Sequence, residues 1–198
     1  MSPKSFISLL LFSSLLPGLT GCADNVKQPQ VIEFTPTLDG EKIDCQSTME
    51  IRGNNWKLNQ LLFFIADVEV ESSDGRWQSA DLIISDNQTN DLSLLGINCA
   101  NDSSGQWQLQ MQGLESDNAQ SLRFKLGVPF EENHKNPLMQ PSPLNDSSMF
   151  WVWQTGHKFL RLEMEKRVNV LGEDNIDGNW VFHLGSTGCS AKSALRAP

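Results

Sequence analysis

The chain of 198 residues contains no tyrosine and only three histidines, and it lacks the short motifs that mark common catalytic sites. There is no G-x-S-x-G nucleophile turn, no phosphate-binding P-loop, no C-x-x-C pair, and no H-E-x-x-H or H-x-H metal spacing. Glu131 and Glu132 are merely adjacent in a loop-like stretch, which does not indicate the paired carboxylates of a glycosidase. No motif therefore supports an acid/base hydrolase.

Basic residues are also scarce, with 15 Lys and Arg against 24 Asp and Glu, a net charge of −9. Such a surface repels nucleic acid and anionic lipid headgroups, so a nucleic-acid partner is not expected. The charge mildly favours a cation or a basic protein partner. Its simpler interpretation is that it keeps the protein in solution.

The N-terminus has a short apolar run rather than one long enough to span a membrane. Lys4 precedes the apolar residues 6–16, and Leu19-Thr20-Gly21-Cys22 follows them. This order is typical of a secretory signal, and the last four residues resemble a bacterial lipobox. We expect cleavage before Cys22 and acylation of that cysteine, which would anchor the mature chain through lipid. An ordinary signal peptide with an incidental cysteine is the alternative.

The N-terminal pattern predicts a signal peptide over 1–21, a lipidated tether over 22–30 and one domain over 31–198. Residue 23 is Ala rather than Asp, which favours the outer membrane, on the periplasmic or surface side. Loss of Lys4 with the signal would leave 14 basic and 24 acidic residues, a net charge of −10. The mature length suits one domain with its own core.

Cysteine usage points to one disulfide and one remaining thiol. If Cys22 carries lipid, then Cys45, Cys99 and Cys189 remain. The compartment is oxidising, so a disulfide is expected. The odd number leaves one cysteine that is free, is paired between chains, or lacks its partner.

The rest of the chain predicts an all-β fold, an antiparallel sandwich or barrel-like domain with a long proline-rich loop. Short segments with strand composition recur between turn signals, and residues 106–114 alternate strictly between apolar and glutamine side chains. The strand-like segments are 31–38, 61–72, 76–85, 106–114, 121–128, 150–154, 157–170 and 179–185, of which 158–168 also allows a helix; Asp177-Gly178 predicts a turn before the last. Residues 127–149 hold four of the nine prolines and show neither the helical nor the strand period of apolar residues. This pattern favours a functional loop.

Trp and His lie close together in two of these segments. If residues 150–154 are extended, Trp151 and Trp153 share one face, where two indoles most often belong to a core. A sugar-stacking platform or a redox use of the indoles is the alternative. Taken alone, His134 is typical of a solvated loop and His157 of a turn cap, while His183 faces opposite to Trp180. A site of two or three histidines for copper or zinc is possible chemically, but no spacing indicates it.

Five blocks in this order resemble the MbnP-like family, the four-cysteine "metallo-mystery pair" proteins associated with methanobactin and with copper-responsive surface proteins. They are FFIADVEV, LLGINCAND, LRFKLGVPFEENHKNPL, PSPLNDSSMFWVWQTGHKFLRL and FHLGSTGC, and the resemblance covers about residues 34–189. It implies a secreted, mostly β protein that binds copper and is not itself an enzyme. It also implies a partner, a MauG-like di-haem cytochrome c peroxidase, which oxidises a tryptophan of the binding protein to kynurenine.

The resemblance places the family's functional residues on this chain. It assigns His134 and His183 as copper ligands and the W-x-W pair to Trp151 and Trp153, one of which becomes kynurenine. An indole nitrogen is a poor ligand, whereas the aniline amine of kynurenine can join two imidazoles around Cu(I). The alternative is a metal-free binding or structural envelope lipoprotein in which the tryptophans are core.

Two departures from the family pattern bear on these expectations. Relatives usually have Tyr before Lys-Phe, whereas this chain has His157 at that position. The replacement either adds a copper ligand or has no effect on the site. Relatives also continue past G-S-T-G-C to another cysteine, so the resemblance implies a Cys45–Cys99 bridge and leaves Cys189 free or mispaired. The chain is then expected to be truncated or naturally short, and truncation would leave an uncovered sheet edge near the C-terminus.

Overall fold

A computed structural model of the chain describes residues 29–101, 104–114, 119–151 and 156–186. The signal peptide, Cys22 and tether residues 22–28 lie outside these ranges, as do Trp153 and Cys189. The described strands are β1 (Gln30–Glu33), β2 (Thr37–Leu38), β3 (Glu41–Lys42), β4 (Thr48–Ile51), β5 (Asn54–Glu71), β6 (Trp77–Ser79), β7 (Asp81–Leu82), β8 (Leu92–Asn98), β9 (Gln108–Gln112), β10 (Ser121–Leu126), β11 (Lys158–Val170) and β12 (Glu173–Gly185). One short helix, α1 (Phe130–His134), and two 3₁₀ turns (Pro137–Met139 and Ser147–Met149) interrupt them.

Every strand pairing is antiparallel within two main sheets and one small hairpin, which confirms the predicted all-β fold. One sheet has the order β1-β9-β7; the other follows β10-β5-β11-β12, with β4, β6 and β8 also paired to β5. The predicted alternation of residues 106–114 puts Leu109 and Met111 of β9 inside, and both are fully buried. They pack against Ile65 and Val68 of β5, so the two sheets enclose a shared core.

Strand β5 is the centre of the larger sheet and runs from residue 54, earlier than the strand predicted at 61–72. Asp67 has a positive φ of 50°, and the register with β10 shifts at this level. This bulge gives β5 one more residue than β10 between the two flanking pairs. As a result Ile65 and Val68, three positions apart, both face the first core, while Ala66 faces a second one.

The proline-rich loop covers the second face of the larger sheet. Val128, Leu144 and Met149 of the loop pack on Phe64 of β5 and Leu92 of β8 in a continuous buried cluster. The loop was predicted to lack helical period, yet it contains α1 and both 3₁₀ turns. Each is a single turn, which is too short to produce a period in the sequence.

Strands β11 and β12 form a long hairpin whose turn lies elsewhere than predicted. The ambiguous residues 158–168 are strand. The chain reverses at Leu171 and Gly172, which have positive φ of 55° and 91°. Two-residue turns with positive φ at both positions are favoured in hairpins because they match the twist of the flanking strands. Asp177-Gly178, the predicted turn, lies inside β12 opposite a register shift at Lys166 and Arg167, so the strand absorbs it as a bulge.

The outer side of β12 is the end of the larger sheet, and no strand within the described ranges pairs with it there. Trp180 and Phe182 stack on one face of β12 with ring centroids 6.1 Å apart. Both remain exposed. His183 faces the other way, as its alternation with Phe182 and Leu184 predicted.

A third core surrounds the disulfide that the family resemblance implied. Cys45 and Cys99 are bonded, which confirms that pairing. They pack with Met49, Leu58 and Ile97 at one end of β5. Of the helices within the described residues, none has the length and apolar character needed to cross a membrane.

Candidate functional site

Trp151 lies where the proline-rich loop joins strand β11, and it is buried, with 8% of its surface exposed. The predicted strand at 150–154 does not form at its start: Phe150 makes one isolated bridge to His157, and Trp151 belongs to no strand. The backbone N–H of Trp151 donates instead to the Gly156 carbonyl at 3.2 Å. Because Trp153 lies outside the described residues, the prediction that both indoles share a face stays untested.

His183 is brought to Trp151 by β12, with ring centroids 5.9 Å apart. Its Nε2 lies 2.7 Å from Oε1 of Glu163 on β11. A carboxylate accepts hydrogen bonds and cannot donate them, so Nε2 carries the hydrogen. The Nδ1 nitrogen of His183 is then the one with a lone pair that can bind a metal.

Glu163 belongs to a small charged network beside this pair. The same Oε1 atom accepts a hydrogen bond from Nε of Arg161 at 2.7 Å. Burial raises the pKa of Glu163, but the hydrogen bonds from Arg161 and His183 outweigh that effect and hold the pKa below its ordinary value. Glu163 is therefore a carboxylate at neutral pH.

Two cations bind the loop at Ser148, and one of them lies near the indole. Nζ of Lys158 donates to the Ser148 carbonyl at 2.7 Å, and Nη1 of Arg161 donates to the same oxygen at 3.1 Å. Nζ of Lys158 also lies 5.2 Å from the centre of the Trp151 ring. Burial and then the neighbouring Arg161 lower the pKa of Lys158. The two bonds to Ser148 attach the loop to the strand that carries Glu163.

His134 is buried at the end of helix α1, with 7% of its surface exposed, and is not the solvated loop residue that its local sequence indicated. Its Nδ1 donates to the Phe130 carbonyl at 2.7 Å, because a carbonyl oxygen only accepts. This assigns the hydrogen to Nδ1 and the metal-binding lone pair to Nε2. The ring also packs on Phe130, with centroids 4.3 Å apart, which fixes its orientation further.

Helix α1 is tied to the same turn as Trp151 through Asn133, the neighbour of His134. The side-chain oxygen of Asn133 accepts the backbone N–H of His157 at 2.7 Å. A Cβ placed on Gly156 would lie 3.2 Å from the Asn133 amide, so helix and turn are in close contact. Gly156 also accepts the hydrogen bond from Trp151, so Trp151 and the neighbour of His134 are bonded to the adjacent residues Gly156 and His157.

His157 has a structural role. It is fully buried, and its Nε2 donates to the Leu144 carbonyl at 2.9 Å. Its ring packs edge-on against Phe64 at 5.9 Å. With the backbone bond to Asn133, His157 joins two parts of the loop to the sheet, and it does not merely cap a turn.

The structure therefore brings together Trp151 and His183, and it attaches His134 to the same turn. Within the part of the chain that the structure describes, no group of three or more His, Cys, Asp or Glu has the arrangement of a metal site. Sequence reasoning missed Glu163, Arg161 and Lys158. Arg161 lies opposite His183 in the pairing of β11 with β12. The position of these charged residues beside His183 is therefore known only once the register of the two strands is known.

Comparison with known proteins agrees with this architecture. The solved structure of MbnP from Methylosinus trichosporium matches with a TM-score of 0.66 and 24% sequence identity. The match covers 84% of this chain but only 65% of that chain, and at this identity it concerns the fold. Among curated proteins none matches the chain. The family model described as MbnP matches residues 27–198, and the chain accordingly belongs to the MbnP family.

Proposed function

We propose that this protein is a lipid-anchored copper-binding protein of the cell envelope, whose site includes Trp151 after its oxidation to kynurenine by a partner di-haem peroxidase. The supporting observation is the 5.9 Å contact between the buried Trp151 and His183, an imidazole whose Nε2 is already engaged by Glu163. In this proposal the protein is the substrate of the oxidation and does not itself catalyse a reaction.

The donor set of the site fits copper. In both His134 and His183 one ring nitrogen donates to a fixed oxygen, which holds each imidazole in one orientation. For His183 this leaves the lone pair of the neutral ring on Nδ1. Imidazole is a good ligand for copper, and an outer hydrogen bond of this kind is usual for a metal-binding histidine. When bound, copper would give the protein a site for metal storage, delivery or electron exchange.

Trp151 supplies no ligand in its native form, because the indole lone pair belongs to the aromatic system. Opening of the ring adds two oxygen atoms across the C2–C3 bond. Two molecules of hydrogen peroxide, used by the haem partner, balance this step: each supplies the equivalent of one oxygen atom and leaves one molecule of water. Hydrolysis of the resulting formyl group then releases formate and leaves a free aniline amine. That amine is a third nitrogen donor beside His183. Trp153 is the other candidate for this modification.

The mature chain is proposed to reach the outer membrane through acylation of Cys22. Replacement of Cys22 by Ala should release the protein from membranes or block its processing, because lipid is its proposed anchor. Fractionation tests this, and unchanged membrane association would contradict it.

Copper titration tests the ligand assignment. His134→Ala and His183→Ala should each weaken copper binding at least ~10-fold, or about 1.4 kcal/mol, because one of very few ligands is lost. Trp180→Phe is the matched control, since Trp180 lies on the opposite, exposed face of β12. Equal affinities for folded histidine variants and wild type would indicate that these histidines are structural, and a wild type that binds no copper would support the second candidate function, a metal-free envelope lipoprotein. The burial of Trp151 is the observation that favours that alternative.

A further inference from the structure

Glu163 connects two side chains on the face of the β11–β12 ladder that borders Trp151. Arg161 and His183 are direct partners across this ladder, and Glu163 lies two residues along β11 on the same face. Its Oε1 accepts from both, each at 2.7 Å. The carboxylate is thus held by a guanidinium on its own strand and reaches across to the imidazole on the next.

This bridge selects the tautomer of His183. An unrestrained neutral imidazole can carry its hydrogen on either nitrogen, so only part of the population presents a given lone pair. The Glu163 carboxylate accepts only, which keeps the hydrogen on Nε2. It also sets the orientation of the ring against Trp151, because the Glu163 side chain is itself fixed by Arg161.

We propose that Glu163 is the positioning residue of the copper site, acting through His183 to present Nδ1 to the metal. This inference rests on the proposed function, in which His183 is a ligand. Hydrogen-bonded carboxylates behind metal-binding histidines typically contribute 10- to 100-fold to metal affinity. Glu163 has this relation to His183 before any metal binds.

The neighbouring Glu165 offers a matched control on the same strand and face. Its Oε1 accepts from Nη1 of Arg167 at 2.6 Å, as Glu163 accepts from Arg161. The two glutamate side chains are similarly covered, with 17% and 21% exposed. Arg167 also pairs with Asp174, whereas the Glu163 pair extends to His183. Glu163 and Glu165 therefore differ chiefly in that Glu163 also contacts the imidazole of His183.

A cleft beside Glu163 makes chemical rescue feasible. Glu163 and Arg161 form part of the wall of an open, polar cleft of about 520 Å³, together with Asn59, Gln60 and Asn98. Truncation of Glu163 to Ala would leave space that formate or acetate can enter from solvent. Either anion would meet the Arg161 guanidinium and could accept the hydrogen of His183 again.

The test uses the full-length protein, produced together with the di-haem peroxidase partner, and copper ions alone as the probe. Copper affinity is measured for wild type, Glu163→Ala, Glu163→Gln and Glu165→Ala, with circular dichroism to show that each is folded. NMR of isotope-labelled histidine in the metal-free protein reports which His183 nitrogen carries the hydrogen. We expect Glu163→Ala to mix the two tautomers and to weaken copper binding ~10-fold or more, with partial recovery in formate. Glu163→Gln keeps the shape of the side chain and should lose less, and Glu165→Ala should match wild type.

Three results would overturn the inference, and they are distinguishable from one another. If wild type binds copper but folded Glu163→Ala binds it equally, with one His183 tautomer retained, Glu163 does not position the ligand. If Glu163→Ala and Glu165→Ala lose affinity alike and formate restores neither, the loss is a general effect on the ladder. If wild type itself binds no copper, the proposed function fails, and the positioning role fails with it.

Discussion

Removal of the Cys45–Cys99 bridge should lower the free energy of unfolding by about 4 kcal/mol. The two cysteines are 54 residues apart in sequence, and the chain-entropy relation for a closed loop of this length gives ~4 kcal/mol. The native contact at the Cys99 end does not need the bond, because Cys99 follows β8 directly and its N–H donates to the Asn59 carbonyl at 2.9 Å. The effect should therefore arise mainly in the unfolded chain.

The assay is urea unfolding of wild type and of the double variant Cys45→Ser/Cys99→Ser, followed by tryptophan fluorescence. A double variant is needed because either single variant leaves a thiol that can pair with Cys189. Its midpoint should fall while its m-value rises, since the uncrosslinked chain exposes more surface when unfolded. Dithiothreitol should destabilise wild type to a similar degree and leave the double variant unchanged. A loss below ~1 kcal/mol would refute the assignment of this stability to loop closure.

Three further changes test the packing around the site. Gly96→Ala should destabilise by ~3 kcal/mol or prevent folding, because a Cβ there would overlap the Leu61 carbonyl of β5; a normal melting temperature would contradict this. His157→Ala should cost ~3 kcal/mol, since it empties a fully buried site and leaves the Leu144 carbonyl unpaired, and urea unfolding measures it. The pKa of Glu163 is lower in the folded protein than its ordinary value of 4.5, so the ionised Glu163 side chain stabilises the fold above pH 4.5. This contribution is lost as the pH falls through the folded-state pKa. Glu163→Gln should therefore lose less stability than wild type as pH falls from neutral to below 4.5, and equal losses would count against the pairing with Arg161 and His183.

Local patterns were sufficient to predict the class of fold and several strands, but they missed β4 and β8 and predicted a strand at 150–154 that does not form at its start. The alternation around Leu109 and Met111 reports directly which side chains face the core. The hairpin turn was placed wrongly because Asp-Gly is a common turn pair, whereas Leu171-Gly172 resembles no favoured one. The pairing of β11 with β12 along its whole length places the turn at Leu171-Gly172, and a short stretch of sequence gives no information on that pairing.

The site was predictable only in part, for a similar reason. The family resemblance assigned His134, His183 and Trp151, and the structure brings His183 to Trp151. Glu163 carried no signal, because charged residues on an exposed strand are usually solvated and its partner lies 20 residues away in sequence. The burial of His134 and His157 was also hidden, since it depends on how the proline-rich loop folds back onto β5 and β8.

The central claim is that Trp151 is the precursor of a copper ligand. The most direct measurement is peptide mass spectrometry of protein produced with and without an active di-haem peroxidase partner, together with copper titration of both preparations. We expect the partner to convert Trp151 to kynurenine, seen as the loss of one carbon and the gain of one oxygen in its peptide. The modified protein should bind copper more tightly than the unmodified one, because an indole offers no good ligand. Intact Trp151 and Trp153 after co-expression, with copper binding undiminished, would contradict it.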